Sequence, residues 1–225
     1  MSDFDQYAHV WWESEGPLWT LHALQRLRAE LMACYGPWHA QDILDVGCGG
    51  GLFAESMMQQ SAYVTAFDTS AHIIACAREH LKATYPEQTI DYRVGCSMDP
   101  SMYTQHAYDA VCAFEVIEHV DDPERVIDNM ITALRPGGLL FLSSPNRTSL
   151  GFISNIIIPE YIVSWLPIGT HRYHMFVALD TVLAWLIEKG CEVIDVRGLW
   201  YYPLQQSFDW SAQTAAHYTI VARKM

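Results

Sequence analysis

Between residues 42 and 143 the chain sets down five apolar runs of strand length, at 42–46, 63–67, 90–94, 110–114 and 139–143. Helical patterns over 52–59, 71–82 and 123–134 fall between them, and "RPGG" at 135–138 supplies a stop and a turn before the last strand. Connections of this kind are long enough to cross over a sheet, so the strands line up in parallel and both faces are covered by helices. Regular structure resumes with a helix at 179–189 and strands at 192–196 and 218–222, which brings the expected sheet to seven strands, mostly parallel, in an α/β fold.

Two segments stand outside this rhythm. A tryptophan-rich amphipathic stretch at 4–35 is interrupted at Gly16-Pro17, and Gly36-Pro37 closes it before the first strand, so residues 1–38 read as a helical cover. Residues 147–176 are long for a loop and carry the apolar runs "FISNIII" and "YIVSWL", divided by Pro159 and Pro167. A connection of that length in one 225-residue domain is either a lid over a site or an interaction surface.

Charge and cysteine usage narrow the function. A formal charge of -13 repels phosphate backbones, which argues against a nucleic-acid partner, and makes any membrane contact depend on apolar burial. The six cysteines form no C-x-x-C pair and read as small buried hydrophobes of a reducing compartment. With no signal-peptide pattern and no run of eighteen apolar residues, the expected location is the cytoplasm.

After the first strand comes "LDVGCGGG". Glycines in a strand-to-helix turn let main chain approach a ligand closely. A dinucleotide fingerprint needs a third glycine three positions beyond the second, where this chain has Leu52. Asp45, Gly47, Gly49 and Gly51 instead match the D-x-G-x-G-x-G pattern of class I methyltransferases, whose S-adenosylmethionine is a cation that an acidic strand end suits. Asp68, at the tip of the next strand, is placed to accept hydrogen bonds from ribose hydroxyls; its plainer alternative is to cap the following helix. Cys96, Ser97 and Met98, after the third strand, are expected near the adenine.

At the end of the fourth strand "EVIEHV" places Glu115, Glu118 and His119 at i, i+3 and i+4, on one face if the chain turns helically there. Two carboxylates and an imidazole suit a divalent cation, magnesium or zinc, which would favour the phenolate of a catechol. Without a metal, His119 is a candidate general base. The plainer reading is a solvated acidic turn before the helix that starts at Pro123.

These residues, with "WWESEGPLWTLH", "LRPGGLLFLSSPNR", "EYIVSWLPIGTH" and "GLWYYPLQQSF", resemble the UbiG-type O-methyltransferases of ubiquinone biosynthesis along the whole chain. The resemblance implies a Rossmann-like class I methyltransferase fold and S-adenosylmethionine held by Gly47, Gly49, Gly51 and Asp68. It also implies a cation site at Glu115, Glu118 and His119, and methylation of a polyprenylated catechol precursor. Residues 149–166 would meet the isoprenoid tail or the inner face of the membrane, and Arg28 would reach the cofactor's methionine carboxylate. Val10, Gln25-Arg26, His171 and His174 depart from the family's pattern. These changes bear on the acceptor, so another small aromatic acceptor, for O- or N-methylation, and a non-catalytic S-adenosylmethionine-binding protein stay open.

Overall fold

The computed structural model describes residues 5–162, 169–170, 172–202 and 205–225; His171 and the end of the apolar segment, residues 163–166, lie outside them. Its strands are β1 (Asp42–Val46), β2 (Tyr63–Asp68), β3 (Asp91–Val94), β4 (Tyr108–Phe114), β5 (Leu134–Pro145), β6 (Cys191–Tyr202), β7 (Ser207–Ser211) and β8 (His217–Lys224). They form one sheet in the order β3-β2-β1-β4-β5-β8-β6-β7. The run from β3 to β5 is parallel, as the strand–helix alternation requires. Strands β8, β6 and β7 each pair antiparallel with the strand before them in that order.

The sheet has eight described strands where the sequence pattern predicts seven. Strand β6 runs beyond the expected 192–196: its pairing with β8 ends at Arg197, and from Gly198 to Tyr202 it pairs with β7 instead. The added pair is an edge ribbon of half-buried aromatics, Tyr201 and Phe208 among them, that packs on Trp19. Its burial pattern lacks the full apolar run by which a central strand is recognised.

Central strand β4 shows the opposite pattern, with Ala110, Val111, Cys112 and Ala113 fully buried because helices cover both faces. The helices are α1 (Trp19–Ala33), α2 (Leu52–Gln59), α3 (Ala71–Thr84), α4 (Pro123–Ala133), α5 (Ser149–Phe152) and α6 (Leu179–Glu188). Helix α4 begins where the sequence signals it, with the Asp122 carboxylate accepting from the Arg125 amide and Pro123 in the first turn. It buries Val126, Ile127, Met130 and Ile131, one stripe at helical spacing, and each such side chain stabilises the fold by roughly 1.5–3 kcal/mol. The cysteine reading holds for Cys48, Cys112 and Cys191, which are buried; Cys34 is exposed, and Cys76 and Cys96 are partly so.

The N-terminal cover is a 3-10 turn, Asp5–Val10, followed by α1. Ala8, Trp11, Leu18 and Ile73 pack together and tie the turn to α3. Two further bonds fasten it: Ser70 Oγ donates to Asp5 Oδ1, and Cys76 Sγ to the Ala8 carbonyl.

Within the apolar insertion, α5 passes into a π-helical stretch, Ile153–Ile162, that contains Pro159. Proline has no N–H and its ring crowds the carbonyl four residues back, so an α-helical ladder does not continue through it. Leu150, Phe152, Ile153, Tyr161 and Ile162 are left exposed. Among the described residues no helix is long and apolar enough to cross a membrane.

Candidate functional site

The glycine loop forms where β1 gives way to α2. Gly47, Gly49 and Gly51 have φ of 69°, 53° and 92°, a region that L side chains rarely adopt, which is why the loop is built of glycine. The Gly47 and Cys48 amides both donate to the Phe67 carbonyl, at 2.8 and 3.0 Å, and clamp the loop to the end of β2. Asp68 follows at once: its Oδ2 accepts from the Gly49 amide at 3.1 Å and its Oδ1 from the Ser70 amide at 2.9 Å. The expected ribose carboxylate and the expected glycine loop are thus one hydrogen-bonded unit. Capping of α3 falls to Ser70, whose Oγ accepts from the Ile73 amide. Trp11 of the cover lies directly against Gly49 and Gly50, where a Cβ would strike its ring.

Beneath this loop Asp45 is 3% exposed, and its Oδ2 has no hydrogen-bond partner. Burial pushes its pKa up to about 8; Arg28 opposes the shift and Asp68 adds to it. A buried carboxylate without a donor is costly, and such groups concentrate where a ligand supplies the missing partner. Arg28, on α1, stacks its guanidinium over the Phe114 ring at 4.8 Å. Burial lowers its pKa against the pull of Glu115, Asp45 and Glu118, so this one cation faces the acidic residues of both halves of the site.

The segment after β3 is fixed through main chain. The Ser97 carbonyl accepts from Tyr103 Oη at 2.9 Å and from Asn129 Nδ2 at 3.3 Å, Ser97 itself is buried, and Met98 packs on the core. Cys96 beside them is partly buried.

At the end of β4 the three expected groups are neighbours in unequal surroundings. Glu115 has a φ of 60°, outside the helical turn Ile117–His119 that holds the other two. Its Oε1 lies 2.6 Å from His217 Nε2 and also accepts from Ser143 Oγ at 2.6 Å. Burial alone would raise the Glu115 carboxyl, but His217, Arg28 and Ser143 together outweigh it and hold it far below the usual range. Glu118 is 2% exposed; Ser144 Oγ donates to its Oε2 at 3.1 Å, while its Oε1 has no hydrogen bond and lies 4.0 Å from His119 Nε2. Burial, reinforced by the neighbouring Glu115, drives the Glu118 carboxyl well above its ordinary value. His119 is a surface residue.

The expectation of a three-ligand cation site is therefore not met by these side chains as they lie. One oxygen of Glu115 is committed to His217 and Ser143, the Glu118 carboxyl lies beside Glu115, and the His119 ring stands 4.0 Å beyond Glu118 at the surface. Among the described residues no group of three or more histidines, cysteines or acids is placed to hold a metal ion.

Several site residues carry no signal in the sequence. His217 meets Glu115 across 102 positions of chain, and Tyr92 lies under Gly51 from another strand. A narrow cavity of about 10 Å³, room for a single water, is walled by Leu24, Leu27 and Leu199, with Arg28, Glu115 and His217 among its polar lining. His174 is exposed and lines a separate groove of about 310 Å³ with Arg147, Phe176 and Trp185.

A family profile described as "Methyltransferase domain" matches residues 20–199. A ubiquinone biosynthesis O-methyltransferase of Xanthomonas axonopodis pv. citri is 37% identical over 226 residues, which take in 99% of this chain and 94% of that protein. One from Xylella fastidiosa is 35% identical over 98% of this chain and 90% of its own length. Among solved structures, a Thermotoga maritima methyltransferase superposes with a TM-score of 0.70 at 16% identity, covering 99% of this chain and 98% of that one. The magnesium protoporphyrin IX methyltransferase of Synechocystis, with bound S-adenosylhomocysteine, superposes with a TM-score of 0.65 at 15% identity over 90% of this chain and 82% of that one. At such identities these two speak for the fold alone.

Proposed function

The chain belongs to the ubiquinone biosynthesis O-methyltransferase family, and from that premise we propose that it transfers a methyl group from S-adenosylmethionine to one hydroxyl of a polyprenylated catechol. The single observation that carries the reading is the unit formed by Gly49 and Asp68 above the buried, donor-less Asp45. That arrangement suits a cationic adenosyl compound: hydroxyls for Asp68, positive charge for Asp45, and close main chain between them. When bound, S-adenosylmethionine supplies an electrophilic methyl group.

The chain's own residues divide the remaining work. Gly47, Gly49 and Gly51 give the cofactor a wall without side chains, Ser97 and Met98 border the adenine, and Arg28 pairs with the methionine carboxylate. Glu115, Glu118 and His119 face the acceptor. A phenol with a pKa near ~10 is mostly protonated at neutral pH, so a group must take its proton as the new bond forms. His119, the exposed member, is placed at the surface to do this, and the Glu115 carboxylate is left to accept a hydrogen bond from the acceptor's second hydroxyl. The exposed Leu150, Phe152, Ile153, Tyr161 and Ile162 offer an apolar bed for an isoprenoid tail or a membrane surface.

The test is an assay with radiolabelled methyl donor on catechols of increasing tail length. Methylation with a KM that falls as the tail lengthens supports the proposal. Transfer to simple phenols alone would redirect it to another aromatic acceptor, and cofactor binding without turnover on any phenol would leave a binding protein.

Asp68→Ala measures the cofactor half separately. Losing two charge-assisted bonds to the ribose is expected to weaken S-adenosylmethionine binding roughly 10- to 100-fold by calorimetry. Unchanged affinity in a folded variant would remove the ribose assignment.

A further inference from the structure

The reversed strand at the end of the chain has a consequence for the acceptor side. Parallel strands β4 and β5 end at the rim where Glu115 emerges, and an antiparallel neighbour must begin at that same rim. Strand β8 does so with His217, paired in register with Pro145 at the end of β5. The topology alone therefore carries a C-terminal histidine to the foot of Glu115.

Its contacts there are one-sided. His217 is 6% exposed, its Nε2 lies 2.6 Å from Glu115 Oε1, and its Nδ1 is buried with no partner. Glu115 is thus the hydrogen-bond partner that orients the ring. A histidine kept for packing usually has both nitrogens satisfied. The Ser143 hydroxyl falls on the same oxygen, Oε1, and the Glu115 amide donates to the Ser143 carbonyl at 3.1 Å. Both side-chain bonds fall on one oxygen of a carboxylate that lies beside Glu118 and keeps 23% of its side-chain surface exposed. Glu115 also carries a φ of 60°, a conformation that costs a non-glycine residue on the order of 1 kcal/mol and that clusters at working sites.

We propose that His217 is a positioning residue: its Nε2, together with the Ser143 hydroxyl, pins Oε1 of Glu115 so that the carboxylate meets the second hydroxyl of a catechol acceptor. The inference rests on the reading of the protein as a catechol O-methyltransferase and adds the residue that makes it prefer a catechol over a phenol with one hydroxyl. A carboxylate held at one oxygen presents the other in a fixed direction, and a site built to pair a buried polar group discriminates strongly against an analogue that lacks the matching hydroxyl.

The two ring nitrogens give the test its resolution. A glutamine amide reaches the place of Nε2, and an asparagine amide reaches only the place of Nδ1. His217→Gln and His217→Asn are compared with the wild type on two acceptors of equal tail, a catechol and its monohydroxy analogue, in full-length protein. Melting and S-adenosylmethionine calorimetry establish that each variant is folded and binds cofactor. The expected result is a catechol-to-phenol ratio of kcat/KM that falls about tenfold or more in His217→Asn and stays within about threefold of wild type in His217→Gln, with cofactor affinity unchanged in both. An unchanged ratio in His217→Asn, or equal losses in the two variants, overturns the inference while the functional reading stands. A wild-type protein that methylates neither acceptor overturns the functional reading, and this inference with it.

Discussion

Asp45→Asn is expected to make the ligand-free protein more resistant to heat at about pH 8 and, in the same molecule, to weaken S-adenosylmethionine binding by roughly tenfold or more. The two effects have one cause. Asp45 is 3% exposed with one carboxylate oxygen unpartnered, and burial moves its pKa from 3.8 to about 8. Below 3.8 the group is protonated in both the folded and unfolded chain and pH does not affect folding through it. Between that value and about 8 the folded chain holds a proton that the unfolded chain has released, so stability declines as pH rises. Above about 8 both states are ionised and the loss, on the order of a few kcal/mol, is complete. An amide carries no such charge, so the variant escapes the decline and melts several degrees higher at alkaline pH.

The cofactor reverses the sign. A sulfonium and an ammonium brought near Asp45 favour its ionised form, so binding near neutral pH expels a proton from it. Wild-type affinity should therefore rise with pH and level off near about 8, and calorimetry in buffers of different ionisation enthalpy should detect proton release. The Asp45→Asn profile should be flatter and lie lower. If the variant melts below wild type at about pH 8, or binds the cofactor as tightly, Asp45 is a structural acid and the charge pairing assigned to it is wrong.

What could be read from the chain and what could not follows the range of the interactions concerned. Strand and helix positions between 42 and 143 rest on local periodicity, and β1 and α2 fall where the apolar pattern places them. The glycine loop and Asp68 lie 17 to 21 residues apart, joined by one βαβ unit of standard length, so their meeting through the Gly49 amide follows from the motif. The acidic cluster was legible as residue types but not as geometry. Residues at i, i+3 and i+4 share a face only when the turn is helical from its first member, and Glu115, with a φ of 60°, stands outside that turn and meets His217 as well as Glu118. That partner depends on the direction of β8, which no local pattern encodes. Strand β7 did carry a local sign: "SFDWS" alternates polar and apolar as a strand with one covered face does, but over only five residues.

Gly51→Ala is expected to reduce cofactor affinity on the order of 100-fold and to lower the melting temperature, whereas Tyr92→Phe should do neither, and the double variant should recover part of the loss. Two penalties act at position 51. Its φ of 92° is strained for any L side chain, and the missing Cβ would overlap the Tyr92 hydroxyl. The ring cannot swing aside freely, because Tyr92 is 3% exposed and Arg78 Nη2 donates to its carbonyl. The hydroxyl itself is buried without a hydrogen-bond partner, so removing it costs no bond and relieves an unsatisfied group, a change worth roughly 1 kcal/mol in favour of the fold. With phenylalanine at 92 the nearest atom to the new methyl is the ring carbon at 3.0 Å, a crowded contact that a small shift relieves. The steric share of the penalty is then removable and the dihedral share, about 1–3 kcal/mol, is not. A double-mutant cycle read by melting and by calorimetry should show coupling of about 1 kcal/mol or more between the two sites. Strict additivity would mean that the loop moves as a whole to avoid Tyr92, and that the closeness of main chain to the cofactor rests on the positive φ values alone.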